Sequence, residues 1–131
     1  MNLTPALITK IQCVDNITVV SFEAAHHAMR MMSLELNDSL HVGSKVILGV
    51  KATNIALAKE ISGLLSISNQ LKVTIKQINM GSLLCSIKFK FEDQIWESII
   101  TRDSAMRMEL KAGDEMTALV KSSELSIVEI L

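Results

Sequence analysis

Leu110-Lys111-Ala112-Gly113-Asp114-Glu115-Met116-Thr117-Ala118-Leu119-Val120-Lys121-Ser122-Ser123 echoes Leu40-His41-Val42-Gly43-Ser44-Lys45-Val46-Ile47-Leu48-Gly49-Val50-Lys51-Ala52-Thr53. Leucine, glycine, an apolar alternation and lysine recur at one constant offset. Upstream, Asn2 to Ile11 runs beside Asn69 to Ile78 at a slightly smaller offset, so the second half carries a short insertion between its third strand and the glycine turn. Two strand-rich copies read as a tandem pair of domains, residues 1–60 and 64–131, rather than as a solenoid. The stretch Ala58 to Leu65 joins them.

Within the second half, Leu71 to Ile78 is apolar and rich in β-branched residues, and Asn79-Met80-Gly81-Ser82 has turn chemistry. From Leu83 to Phe91, Cys85, Ile87, Phe89 and Phe91 point one way and Ser86, Lys88 and Lys90 the other, the mark of a half-buried antiparallel strand. Glu92-Asp93 turns the chain and Gln94 to Ile100 returns. A short helix is predicted over Arg102 to Leu110 with Thr101 as its N-cap, and Glu115 to Val120 and Leu125 to Ile130 close the set. The first half repeats this without the helix, in Ala6 to Cys13, Ile17 to Glu23, His27 to Glu35, Lys45 to Val50 and Ile55 to Ala58. The fold class is all-β: two tandem five-stranded barrels of the oligonucleotide/oligosaccharide-binding type, with a short helix in the second. A barrel closes its own edges, which suits so small a unit. Each half alone hides little apolar area, so packing between halves and between chains is expected.

The chain has 131 residues, 49% hydrophobic and 21% charged, with a net charge of −1. That balance excludes disorder and gives no bulk attraction to phosphate backbones. With no Tyr, one Trp and three Phe, a base-stacking surface is excluded as well. The opening residues do not read as a secretory leader and no apolar run reaches membrane-spanning length, so the cytoplasm is the expected compartment. Cys13 and Cys85 are expected to be buried thiols. His26 and His27 face opposite ways in a strand, and with His41 they lack acidic or thiol partners at ligand spacing, so no metal cation is expected. Met29, Met31, Met32, Met106 and Met108 are read as gap fillers, and Trp96 as a packing anchor.

What the residues do offer is a set of donors for a small oxyanion. Lys121 supplies a compact charge with three donors, and Ser122, Ser66 and Ser68 supply hydroxyls at strand ends. Thr101 and Ser104 stand where a helix N-terminus would add aligned N–H groups, although a plain helix cap accounts for them equally well. Lys51, Ala52 and Thr53 repeat the lysine end in the first half. No general base, nucleophile pair or metal cluster accompanies them, so binding without catalysis is expected.

The order of these motifs resembles the molbindins and their Mop or TOBE domains. Ser66-Ile67-Ser68-Asn69-Gln70 matches the family's Ser-Ala-Arg-Asn-Gln opening, with Ser68 in place of the arginine. Thr101-Arg102-Asp103-Ser104 matches its Thr-x-x-Ser stretch, and Gly113-Asp114-Glu115-Met116 with Lys121-Ser122-Ser123-Glu124 matches its closing stretch. The resemblance spans residues 66 to 131, and more weakly Gly43 and Lys51-Ala52-Thr53. It implies molybdate or tungstate as ligand, no cofactor, and binding at interfaces between barrels of a homotrimer, or alternatively a homodimer. Ser66, Ser68, Asn69, Lys121 and Ser122 would come from one subunit and Thr101 and Ser104 from a neighbour, with Lys51, Ala52 and Thr53 as the first-half counterpart. The implied role is intracellular storage, buffering or delivery. Two other readings stand beside it, a free-standing anion-sensing module acting on a protein partner and a nucleic-acid-binding barrel, the second opposed by the missing aromatics.

Overall fold

A computed structural model describes residues 1–131. Ten strands, one α-helix and two 3-10 turns follow in order: β1 (Asn2–Val14), β2 (Ile17–Ala24), β3 (His27–Ser33), β4 (Lys45–Val50), the turn Ala52–Asn54, β5 (Ala56–Ala58), β6 (Asn69–Met80), β7 (Leu84–Phe91), β8 (Gln94–Thr101), α1 (Arg102–Arg107), β9 (Glu115–Val120), the turn Ser122–Glu124 and β10 (Ser126–Ile130). The all-β reading with one short helix in the second half holds. β4 and β9 have the bounds predicted, β1 begins earlier than predicted, and β3 stops at Ser33 rather than Glu35.

Alternation is what makes these segments strands. β2 and β7 show the same burial sequence, with Thr18, Val20, Phe22 and Ala24 facing inward in one and Cys85, Ile87, Phe89 and Phe91 in the other. The long strands β1 and β6 carry matching bulges, at Ile8/Lys10 and at Ile75/Gln77. A bulge bends its strand, which lets one strand pair with a different neighbour along each part of its length. Each bulge is tied to the glycine turn of its own half: Gly43 N–H donates to Ile8 C=O at 2.8 Å, and Gly113 N–H to Ile75 C=O at 2.8 Å. Gly43 and Gly113 sit at φ +96° and +94°, a backbone that side-chain-bearing residues rarely adopt, which explains why this glycine recurs.

The sheets run β10-β4-β1-β2-β3 and β5-β9-β6-β7-β8. The expectation that Ile55–Ala58 and Leu125–Ile130 close the halves they belong to is therefore corrected. β5 leaves the first half to pair with β9, Ala56 to Leu119 and Ala58 to Thr117, and β10 crosses back to pair with β4. The two halves exchange their last strands.

Further links follow the same pseudo-twofold relation. Asn2 accepts from the Glu97 N–H at 2.7 Å and donates to its C=O at 2.8 Å. Asn69 does the same to the Arg30 N–H and C=O, at 2.7 and 2.8 Å. Asn54 Nδ2 donates to Glu124 Oε2 at 2.9 Å, joining the two 3-10 turns. Apolar burial is continuous across this junction: 25 buried residues from both halves form one cluster, so the halves share a core. Trp96 is an anchor in it, 2% exposed, its indole N–H donating to Leu3 C=O at 3.1 Å. Met29 and Met31 fill the core as read, whereas Met32 and Met106 are exposed. Cys85 is buried, but Cys13 is exposed, because the end of β1 runs past the core.

Candidate functional site

The register of β6 on β9 decides which candidate residues meet. Asn69 pairs with Val120, so one step further Ser68 lies across from Lys121 where both strands end. Ser66 is two residues upstream on the same entering segment, and Ser122 opens the 3-10 turn after Lys121. Gln70 Nε2 donates to Ile67 C=O at 2.9 Å and ties that entering segment to the strand. Ser66, Ser68 and Lys121 are exposed and Ser122 is half-buried. Lys121 enters neither of the two ion pairs of the chain, so its ammonium is uncommitted. Hydroxyl-bearing residues and one lysine outside any ion pair thus occupy the same end of the second sheet.

Asn69 has a different place. Its side chain is fully buried and both ends of its amide are engaged by Arg30, so it fastens β6 to β3. Lys51 is across from Met1, by the register that pairs Asn2 with Val50. Lys51 and Thr53 are exposed and Ala52 is half-buried. No hydroxyl stands opposite Lys51, and Thr4, the nearest threonine along β1, is buried and accepts from Gln94 Nε2 at 2.9 Å.

Thr101 and Ser104 lie away from Lys121 in the same chain. Thr101 ends β8 across from Leu84, at the end of the sheet remote from Asn69. Its Oγ1 accepts from the Ser104 N–H at 3.1 Å, the N-cap bond expected of it. Ser104 Oγ receives both Thr101 Oγ1 at 3.0 Å and Arg107 Nη2 at 3.1 Å. Arg107 was not singled out in the sequence; its spacing of one helical turn from Ser104 was the available signal. Below this group a groove of about 640 Å³ is lined by Ser104, Arg107 and Met108 on one side and by β5 with Lys59 on the other. Lys59 Nζ crosses to the end of α1, donating to Met108 C=O at 3.1 Å and pairing with Asp114 at 3.5 Å.

Two of the three histidines are otherwise employed, and His26 lies in the turn between β2 and β3 rather than in a strand beside His27. His27 Nε2 meets Glu92 Oε1 at 2.9 Å and its ring tilts on Phe91 at 5.0 Å, and His41 Nδ1 lies 3.2 Å from Ser39 C=O. The Cys85 thiol is pushed above its usual range by burial, an effect partly offset by the Arg102 guanidinium.

Residues 65–127 match the family model of the TOBE domain. Among solved structures, the cytoplasmic molybdate-binding protein ModG, with molybdate bound, superposes with a TM-score of 0.89 at 23% identity, covering 95% of this chain and 93% of that one. A molybdate-binding protein from Sporomusa ovata is 31% identical over 51% of this chain and 100% of its own, with a TM-score of 0.50. No curated protein matches the chain.

Proposed function

The chain belongs to the Mop/TOBE family of molybdate-binding domains, and from that premise we propose that it holds molybdate or tungstate at the junction of Ser66 and Ser68 with Lys121 and Ser122. The observation that supports this reading is the β6–β9 register, in which the pairing of Asn69 with Val120 leaves Ser68 and Lys121 at opposite strand ends, with Lys121 in no ion pair. A tetrahedral dianion is held by one full charge and several short hydroxyl and N–H donors arriving from different directions. The anion is cargo, bound and released unchanged, and the role is storage, buffering or delivery within the cytoplasm. No helix is long and apolar enough to cross a membrane.

The units of the repeat are residues 1–60 and 64–131, and copies of the chain assemble, as a homotrimer before a homodimer. Thr101 and Ser104 of a neighbour then approach the Lys121 end. Supporting assembly, the outer face of the first sheet is apolar: Met1, Leu3 and Val128 are exposed and crowd around Gly49, where an added Cβ would lie 2.8 Å from Met1 and Val128 side-chain atoms. The matching face of β6 presents Gln70, Lys72 and Lys76 instead. An exposed apolar cluster of this kind marks a protein contact.

Equilibrium dialysis against molybdate, with molybdenum measured by elemental analysis and mass in solution measured alongside, tests the reading. Uptake by the wild-type protein and at least a tenfold weaker affinity in Lys121→Ala are expected, with an unchanged melting temperature because Lys121 is exposed. A pure protein that takes up neither molybdate nor tungstate overturns the proposal.

A further inference from the structure

The side chains of Thr101, Ser104 and Arg107 hold more donors than their own chain can use. Ser104 Oγ is 3.0 Å from Thr101 Oγ1 and 3.1 Å from Arg107 Nη2, while Thr101 Oγ1 accepts from the Ser104 N–H. A guanidinium only donates, and a single proton makes the bond between two hydroxyls. Thr101 and Ser104 carry one hydroxyl proton each. Whichever way their mutual bond runs, one O–H is left with no acceptor in the chain. Arg107 commits one N–H of its fork to Ser104 and leaves the others free.

No carboxylate neutralises this group. Arg107 is exposed and enters neither ion pair of the chain. Asp103 stands one helical turn back, at a spacing that allows a pair, yet the guanidinium is bonded to Ser104 instead. Glu60 is the one carboxylate lining the groove below, on the β5 side, and it forms no pair with Arg107. Asp114 is held by Lys59. The first half lacks such a group. Leu34 and Asn37 take the places of Thr101 and Ser104, and Asn37 Oδ1 is already filled by the Ser39 N–H and Oγ. With no helix there, the first half has no counterpart of Arg107.

Resting on the oxyanion reading above, we propose that Arg107 is a binding residue of the same site, carried to it with Thr101 and Ser104 by the neighbouring copy. Lys121 brings a single positive charge to an ion that carries two negative ones, and Arg107 supplies the second. A guanidinium is permanently charged and offers paired N–H donors to two oxygens of one tetrahedral ion, which an ammonium does not. Its bond to Ser104 keeps those donors beside the hydroxyl proton that has no acceptor. The ion therefore meets guanidinium and hydroxyl already side by side, and little side-chain freedom is lost when it binds.

The test is molybdate dialysis on the full chain at several salt concentrations, in wild type, Arg107→Gln, Arg107→Lys and, as a charge control on the outer face of β7, Lys90→Gln. Arg107→Gln is expected to raise Kd roughly tenfold or more and to make it less sensitive to salt, because a cation at the ion is gone. Arg107→Lys keeps the charge without the paired donors, so a smaller rise with wild-type salt sensitivity is expected. Lys90→Gln should stay within about twofold. Circular dichroism melts identify any variant that loses its fold. If Arg107→Gln does so, Arg107→Lys decides, since a Kd within about twofold of wild type there overturns the paired-donor contact. A folded Arg107→Gln within about twofold of wild type overturns the assignment, and so does a raised Kd with unchanged salt sensitivity, which would make Arg107 only a prop for Ser104. Absence of wild-type uptake instead overturns the underlying oxyanion reading.

Discussion

Replacing Asn69 by alanine should cost far more than its small size suggests. Its amide is fully buried and makes two hydrogen bonds across the junction of the halves, at 2.7 and 2.8 Å, to the N–H and C=O of Arg30. Each such bond contributes about 1 kcal/mol net, and a backbone group stranded out of water adds a penalty of about 1–3 kcal/mol. β3 is the edge strand of its sheet, so no neighbouring strand takes over those groups. Together these give a loss of about 3 kcal/mol, or roughly 10 °C in Tm for a chain of this length. Urea unfolding followed by circular dichroism measures it, with Gln70→Ala as the comparison, because its bond to Ile67 is exposed and its loss should cost under about 0.5 kcal/mol. Asn2→Ala should resemble Asn69→Ala. A stability for Asn69→Ala within about 1 kcal/mol of wild type would refute the view that this side chain fastens the halves.

Three other outcomes are expected. Trp96→Phe removes the bond to Leu3 C=O and shrinks a buried ring, so unfolding studies should show a loss of about 2 kcal/mol; intrinsic fluorescence of wild type should shift to the red on unfolding, since this is the one tryptophan. Lys59→Ala withdraws a cation from the last carbonyls of α1 and from Asp114, for a salt-sensitive loss of about 1 kcal/mol in thermal melts. With a thiol reagent, native protein should show one fast thiol, Cys13, and Cys85 only after unfolding. Because burial raises the Cys85 pKa in the folded state, the unfolded chain loses that proton first. Stability is then full below the ordinary thiol range and declines as pH rises through it toward the folded value, and Cys85→Ala should flatten that alkaline decline in denaturation midpoints measured against pH.

Much of the fold was legible because it is written in periods. The alternation of β7 and the recurrence of Gly43 as Gly113 gave strand faces and the repeat directly, and the cap at Thr101 was visible in residue type alone. The strand exchange was not legible, since Ile55–Ala58 and Leu125–Ile130 occupy equivalent places in the repeat and either can lie beside either sheet. What selects the partner is the junction itself, through contacts such as Ser98 Oγ to Ile55 C=O at 2.7 Å, which join residues far apart in sequence. That the Ser68 and Lys121 positions share one sheet end followed from the strand bounds, β6 opening at Asn69 and β9 closing at Val120. The role of Asn69 did not, because an asparagine at a strand start reads alike whether it meets a ligand or a backbone.

Exchange of β5 and β10 ties the fate of each half to the other. Severing the chain between Ser62 and Gly63 would leave the N-terminal fragment without the strand that borders β4, and the C-terminal one without the strand that borders β9. Each piece would carry the missing edge of its counterpart, so the two should find one another when mixed and rebuild a nicked whole, while neither persists by itself. A gene encoding only one copy of this repeat would therefore need a twin from a second polypeptide.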